Sequence, residues 1–433
     1  MVSSLTSENS LNNMRFLDSL RSLGMTIIAI ASVLLFVGCC NCAYTVTVTN
    51  PTTSDRLTEM VEVTLGDVVS ALELAEGETF VIKSEGNEVS YQITYDGKVI
   101  FPVTLAASQR QTFKFCKGTP AEVAVKVCGK HYPHREDDIC WESDLAGFRV
   151  YGFKDDLASG YDLFTKRDTD IPVIDEMYRK AFDPELKKIR EELKLTDRDS
   201  SDRFNCDHMS FHVDHGVGAD CYGVGKTLGA GVAALVDEGQ IVYPFCYDSY
   251  EILENGPLRF TLKLTFRPFT AGGCENVIET RILSVDLGSY FTKTSVSYAN
   301  LDKEMPIVTG IVVQDMDGKS VGNSEKGFIA YPAPTINYDK QRVVDNGTIF
   351  VGHAFPFALD NAELTYFSDE ESTSRGGAKG HILAHSTYVP DSQFVYYWGF
   401  GWSHATFETY EQWIAYLEAY ADQIKNPLTI KIN

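Results

Sequence analysis

The runs LRFTLKLTFRPF at 258–269, NVIETRILSVDL at 276–287 and FTKTSVSYA at 291–299 decide the fold. Apolar and polar residues alternate along them, the period of a strand with one face in a core. Strands continue outward on both sides, as IVYPFCYDSYEIL at 241–253, then IVTGIVVQ at 307–314, FIAYPA at 328–333, HILAHSTYV at 381–389 and FVYYWGFGWS at 394–403. Helical periodicity is confined to 171–199 and to the last stretch, where Trp413, Leu417, Tyr420 and Ile424 make one apolar face. Asp183-Pro184 opens a helix, Asn426-Pro427 closes the last one, and PLTIKI then forms a strand. Helices so few and far apart cannot supply crossovers for a parallel sheet, so the expected class is all-β with a few helices, in antiparallel sandwiches.

Upstream, TVTVTNP alternates until Pro51, and Asp96-Gly97 between alternating runs marks a tight hairpin. Residues 44–152 therefore read as an N-terminal β-sandwich, 153–205 as a mainly helical connector, and 206–433 as a larger sandwich with a C-terminal helix. FSDEESTSRGGAKG at 367–380 reads as a mobile surface loop. No internal repeat is visible.

The 433 residues carry a formal charge of -22, which argues against nucleic acid and anionic membranes as partners. An anionic sugar remains compatible, given a local basic patch such as Arg259, Lys263 and Arg267 on one strand face. At the N-terminus, Arg15 and Arg21 precede the apolar run MTIIAIASVLLFVG, the length of a secretory signal, so 1–38 is expected to be a signal peptide. Phe36-Val37-Gly38-Cys39 resembles a lipobox, making Cys39 the expected lipidation site and 39–43 an anchor or linker; cleavage after Ala43 is the alternative. The expectation is an exported protein, a periplasmic or outer-membrane lipoprotein of a Gram-negative bacterium, touching membrane only through its anchor. Seven cysteines remain beyond the anchor region, an odd number without a CxxC pair. Cys116 with Cys128, and Cys206 with Cys221, are the pairings to test.

Chemistry concentrates in SFHVDHGVGADCYGVGKTLGAG at 210–231, where titratable groups crowd among six glycines. On a helix, His208, His212 and His215 would share a face suited to a metal, but Gly216 and Gly218 disfavour helix, so no metal ligand is assigned. A single acid/base histidine, His212 or His215, oriented by Asp214 or Asp220, fits better. Tyr222 is the candidate partner acid, and Lys226 with Arg259 the candidate carboxylate holders. Glu279 is a candidate base, although Glu279 and Arg281 share a strand face and can pair with each other. Tyr396, Trp398, Trp402 and His404 form an aromatic strand end suited to stacking on sugar rings, with core packing as the competing reading. His353, His381 and His385 are less placed. The acidic run HREDDICWESD at 134–144 lacks EF-hand spacing; no cofactor is expected, and calcium is the one ion it would suit. Asp144 and Arg149, flanking LAGF, can instead tie the first sandwich to the rest.

WESDLAGFRVYG, HVDHGVGADCYGVGKTLGAG, YEILENGPLRFTLKL, ETRILSVDLGS and YYWGFGWS, in that order, resemble the domain-of-unknown-function family 4861 over essentially the whole mature chain. The resemblance implies an exported protein of Bacteroidetes-type bacteria, encoded among polysaccharide-degradation genes, often for pectin-like uronic-acid glycans. It also implies a supersandwich similar to the galactose-mutarotase-like fold, which epimerases, lyases and hydrolases share. It carries over no catalytic residue, and Val217 stands where the family pattern often has Glu. The first functional expectation is a lyase or hydrolase acting on acidic, uronic-acid-containing oligosaccharides or polysaccharides. A sugar mutarotase or epimerase, and a non-catalytic glycan-binding lipoprotein, are the alternatives.

Overall fold

The computed structural model describes residues 44–152, 160–167 and 172–433. The expected signal segment and Cys39 lie outside the described residues. Among those described, no helix is long and apolar enough to cross a membrane.

The first part is a small sandwich. One sheet runs in the order Thr429–Ile432, Tyr44–Thr49, Arg110–Lys117, Phe80–Ser84, Asn87–Val89, and the other is Arg56–Thr64, Lys98–Leu105, Gln92–Ile93. Alternation in TVTVTN buries Tyr44, Val46 and Val48 against Val61, Phe101, Phe113 and Phe115. The outermost strand of the first sheet is Thr429–Ile432, antiparallel to Tyr44–Thr49.

The large sandwich is built on one long antiparallel sheet, ordered Ser249–Asn255, Arg259–Thr265, Cys274–Asp286, Phe291–Ala299, Phe394–Trp402, Thr348–Ala354, Phe328–Pro334, Val321–Asn323. Two smaller sheets share its core. One is centred on Met305–Val313 and Gly380–Tyr388; the other comprises Cys128–Tyr132, Asp138–Glu142, Gly147–Val150 and Asp162–Phe164. Because Trp141, Phe148 and Leu163 lie in the large core, the strands from Cys128 to Val150 belong there and not to the N-terminal sandwich. The boundary expected near 152 therefore falls before 128. On the outer face of the long sheet, Tyr410–Lys425 buries Trp413, Leu417 and Ala421 against Phe291, Phe328 and Phe350.

The connector holds the helices Ile174–Ala181, Pro184–Thr196 and Arg198–His208, and the Asp183 carboxylate caps the second by accepting from the amides of Glu185 and Leu186. The expected mobile loop at 367–380 contains a short helix, Asp369–Ser374, capped by Ser368. Both expected disulfides are corrected. Cys116 is disulfide-bonded, but Cys128, Cys206 and Cys221 are free thiols.

Candidate functional site

The glycine-rich loop after Arg198–His208 is shaped by Asp214, whose Oδ1 accepts from the amides of Gly216 at 2.8 Å and Gly218 at 2.9 Å. Gly218 has φ +117°, and a Cβ there would fall 1.8 Å from the carbonyl oxygen of Thr165. That close approach lets 165–167 pair with 217–219, through Thr165 N–H to Ala219 O and Arg167 N–H to Val217 O. Arg167 is thereby delivered to the loop. Its Nε binds Asp214, its Nη1 donates to the carbonyl of His404 at 3.3 Å, and its guanidinium lies 4.7 Å from the Trp402 ring centre.

A second segment, 336–347, closes the crescent. Tyr338 stacks on His212 with ring centres 4.2 Å apart, and Asp345 lies 3.5 Å from His404 Nε2. His212 with Tyr338, and Asp214 with Arg167, His404 and Asp345, are the two contact groups of this crescent, which the loop and the 336–347 segment both supply.

His212 is held through one ring nitrogen. Its Nδ1 lies 2.9 Å from the carbonyl oxygen of Asp220 and 3.4 Å from that residue's carboxylate. A carbonyl can only accept, so Nδ1 carries the hydrogen and Nε2 keeps its lone pair. Asp220 is buried and bonded at 2.7 Å to Arg149, which also holds Asp162 and faces Asp138. Burial raises the Asp220 carboxyl above its ordinary range and brings Asp138 up to about 6. Asp214 moves the other way. Burial opposes its charge, but the Gly218 amide, Arg167 and the Gly216 amide outweigh that and lower it. Burial, with Asp220 and Asp162 nearby, raises the Tyr338 phenol, so it remains a proton donor.

Other candidates lie elsewhere. His215, exposed, donates from Nε2 to Ser210 O at 3.1 Å and lines a small apolar hollow with Val213 and Val217. His208 ends its helix against Phe204, so the three imidazoles share no helix face. Tyr222 is buried, its hydroxyl 3.3 Å from Gly229 O, so it cannot serve as acid at this surface. Glu279 is buried and paired with Arg281, burial raises its carboxyl, and it borders a small hollow with Phe266 and Tyr298, apart from the crescent contacts. Lys226 is exposed beside Arg375, which donates to its carbonyl, away from the crescent contacts.

The aromatic strand end is core. Alternation sends Tyr396, Trp398 and Trp402 inward at 0%, 0% and 3% exposure, so none offers a face to a sugar. Trp398 stacks on Tyr161 at 4.3 Å and donates to Thr294; Trp402 donates to Asn346 O. Arg259 is bound by Glu62 at 2.6 Å and by Asp286, so it is no free carboxylate receptor. The acidic run disperses likewise: Glu142 binds Lys166 and the amides of Val173 and Ile174, Asp138 accepts from Tyr178, and Asp144 accepts from Gly288. Neither residue of the expected tie reaches the N-terminal sandwich: Asp144 holds Gly288 within the large sandwich, and Arg149 serves the buried network. Burial brings His353 and His381 down to about 3, fixing both as neutral core groups. Among the described residues, no group of three His, Cys, Asp or Glu could hold a metal ion.

Sequence reasoning passed over Arg167 and Tyr338. Neither lies in a patterned run; only the fold brings them to the histidine loop.

The family described as "Domain of unknown function (DUF4861)" matches the chain over residues 48–430. "Uncharacterized protein P7" of Formosa agariphila is 23% identical over 414 residues, covering 89% of this chain and 93% of that protein. Two solved structures from Enterococcus faecalis resemble it at a TM-score of 0.44: an alpha-mannosidase, 9% identical, and a protein in the glycosyl hydrolase family 38, 8% identical. Both likenesses take in 91% of this chain but 46% and 48% of theirs, so the chain spans about half their length.

Proposed function

The chain belongs to the DUF4861 family, and from that premise we propose that it is an exported, lipid-tethered enzyme cleaving uronic-acid-containing oligosaccharides by histidine acid/base chemistry. One observation carries the reading: the Asp220 carbonyl fixes the His212 tautomer, leaving Nε2 as an acceptor beside the protonated Tyr338 phenol. In an elimination, His212 takes the proton α to the sugar carboxylate and Tyr338 gives one to the leaving glycosidic oxygen. The C–O bond breaks as the ring double bond forms. Asp220 steadies the imidazolium once it is charged, and Arg167, already paired with Asp214 and bonded to the His404 carbonyl, contributes positive charge near the carboxylate. An epimerase based on Glu279 has less support, because that carboxylate is buried and paired with Arg281.

The test is digestion of pectic and other acidic oligosaccharides by the purified chain, read as ultraviolet-absorbing unsaturated uronide and as new reducing ends. Unsaturated product that disappears in His212→Ala supports the reading. New reducing ends without unsaturation indicate hydrolysis by the same surface. No product from any acidic glycan, or full activity in His212→Ala, overturns it.

A further inference from the structure

A cavity of about 350 Å³ lies away from the histidine crescent. It lies where the N-terminal sandwich, the long sheet and the last helix meet, bordered by Glu59 and Glu62, by Arg259, Asp286 and Lys293, and by Tyr397 and Tyr420. Its size falls within the roughly 300–1,000 Å³ of small-ligand sites.

The chemistry of its walls is specific. Tyr397 and Tyr420 meet edge to face at 5.7 Å, making an aromatic corner, and the other side of the corner is backed by Phe291 stacked on Tyr420 at 4.3 Å. Neither phenol hydroxyl has a hydrogen-bond partner among the described residues, although both line the cavity with the carboxylates of Glu59 and Asp286. Arg259 is consumed by Glu62 and Asp286, and Glu59 by Arg56. Lys293 has no ion-pair partner among the described residues. The corner therefore presents ring faces for C–H groups, carboxylate oxygens that accept from hydroxyls, and phenol and ammonium groups that donate to them. An anionic ligand would gain one unpaired lysine and face four carboxylates, those of Asp55, Glu59, Glu62 and Asp286, so a neutral polyol suits the cavity better.

We propose that this cavity is a second binding site, remote from the histidine crescent, that takes one neutral sugar residue against the Tyr397–Tyr420 corner. It does not depend on the reading of His212. A sugar bound there bridges the N-terminal sandwich and the last helix, the position of a holding subsite for a longer glycan.

The experiment is calorimetry of the full chain with galactose, glucose, xylose and rhamnose, alongside galacturonate, at millimolar concentrations. At least one neutral sugar is expected to bind at one site per chain, ahead of galacturonate. Tyr397→Phe and Lys293→Ala each remove a hydrogen-bonding group and are expected to weaken it about three- to tenfold, whereas His212→Ala leaves it unchanged. No binding by any neutral sugar overturns the proposal. So does binding lost in His212→Ala but kept in both cavity variants, or tighter binding of galacturonate.

Discussion

Arg259 of the long sheet reaches Glu62 of the N-terminal sandwich at 2.6 Å, so the two β-structured parts are pinned by an ion pair. Burial opposes the charge on Glu62, but Arg259 and Lys98 outweigh it and hold the carboxyl at about 2, below the ordinary 4.5. A carboxyl lowered in the folded state contributes stability that is present above pH 4.5 and lost as pH falls through about 2. Glu62→Gln is therefore expected to flatten the fall of stability over that window. Denaturant melts at a series of pH values check it; an unchanged slope would show that the pair adds nothing.

His212→Ala should cost about 10²–10⁴ in turnover, the usual weight of a general acid–base group, with the melting temperature little changed. Tyr338→Phe keeps the ring stack on His212 and removes the proton, so its loss should fall on turnover more than on KM. Steady-state kinetics on the best acidic oligosaccharide separate the two outcomes.

Gly218→Ala places a methyl carbon against the Thr165 carbonyl at a φ that side chains rarely adopt. The pairing that delivers Arg167 must shift, costing roughly 2 kcal/mol or more. Thermal melts measure the cost, and the same variant should lose activity even where it folds.

Trp398→Ala should destabilise the fold by roughly 3–5 kcal/mol, because it empties a sealed place against Tyr161 in the main core. Carbohydrate affinity, measured well below the melting point, should be unaffected. A tryptophan at a sugar site would give the opposite pair of results.

The period-2 pattern made the sandwich class readable, and it also held the answer for 394–402. Positions 396, 398, 400 and 402 share one face, yet alternation alone does not say whether that face meets solvent or a second sheet. The last helix was legible because Trp413 and Leu417 lie one turn apart and Asn426-Pro427 halts it. In the site, glycine spacing marked the loop, and the structure assigns Gly218 its reason. Tyr338 was invisible because it sits in an irregular segment placed only by contacts such as Arg342 with Asp207 and Gln341 with Arg203. Arg259 misled for a related reason: a guanidinium on a strand face looks alike whether it awaits a ligand or meets carboxylates from distant sequence.

Thr45 and Asn433 exchange backbone hydrogen bonds although they stand 388 positions apart. The strand Tyr44–Thr49, made early on the ribosome, therefore waits, one edge bare, for Thr429–Ile432 to arrive. Such distant closure is slow, and an uncovered strand edge invites pairing with a neighbouring chain. Yield of this protein should thus respond to chaperones and to any tag that obstructs Thr429–Ile432.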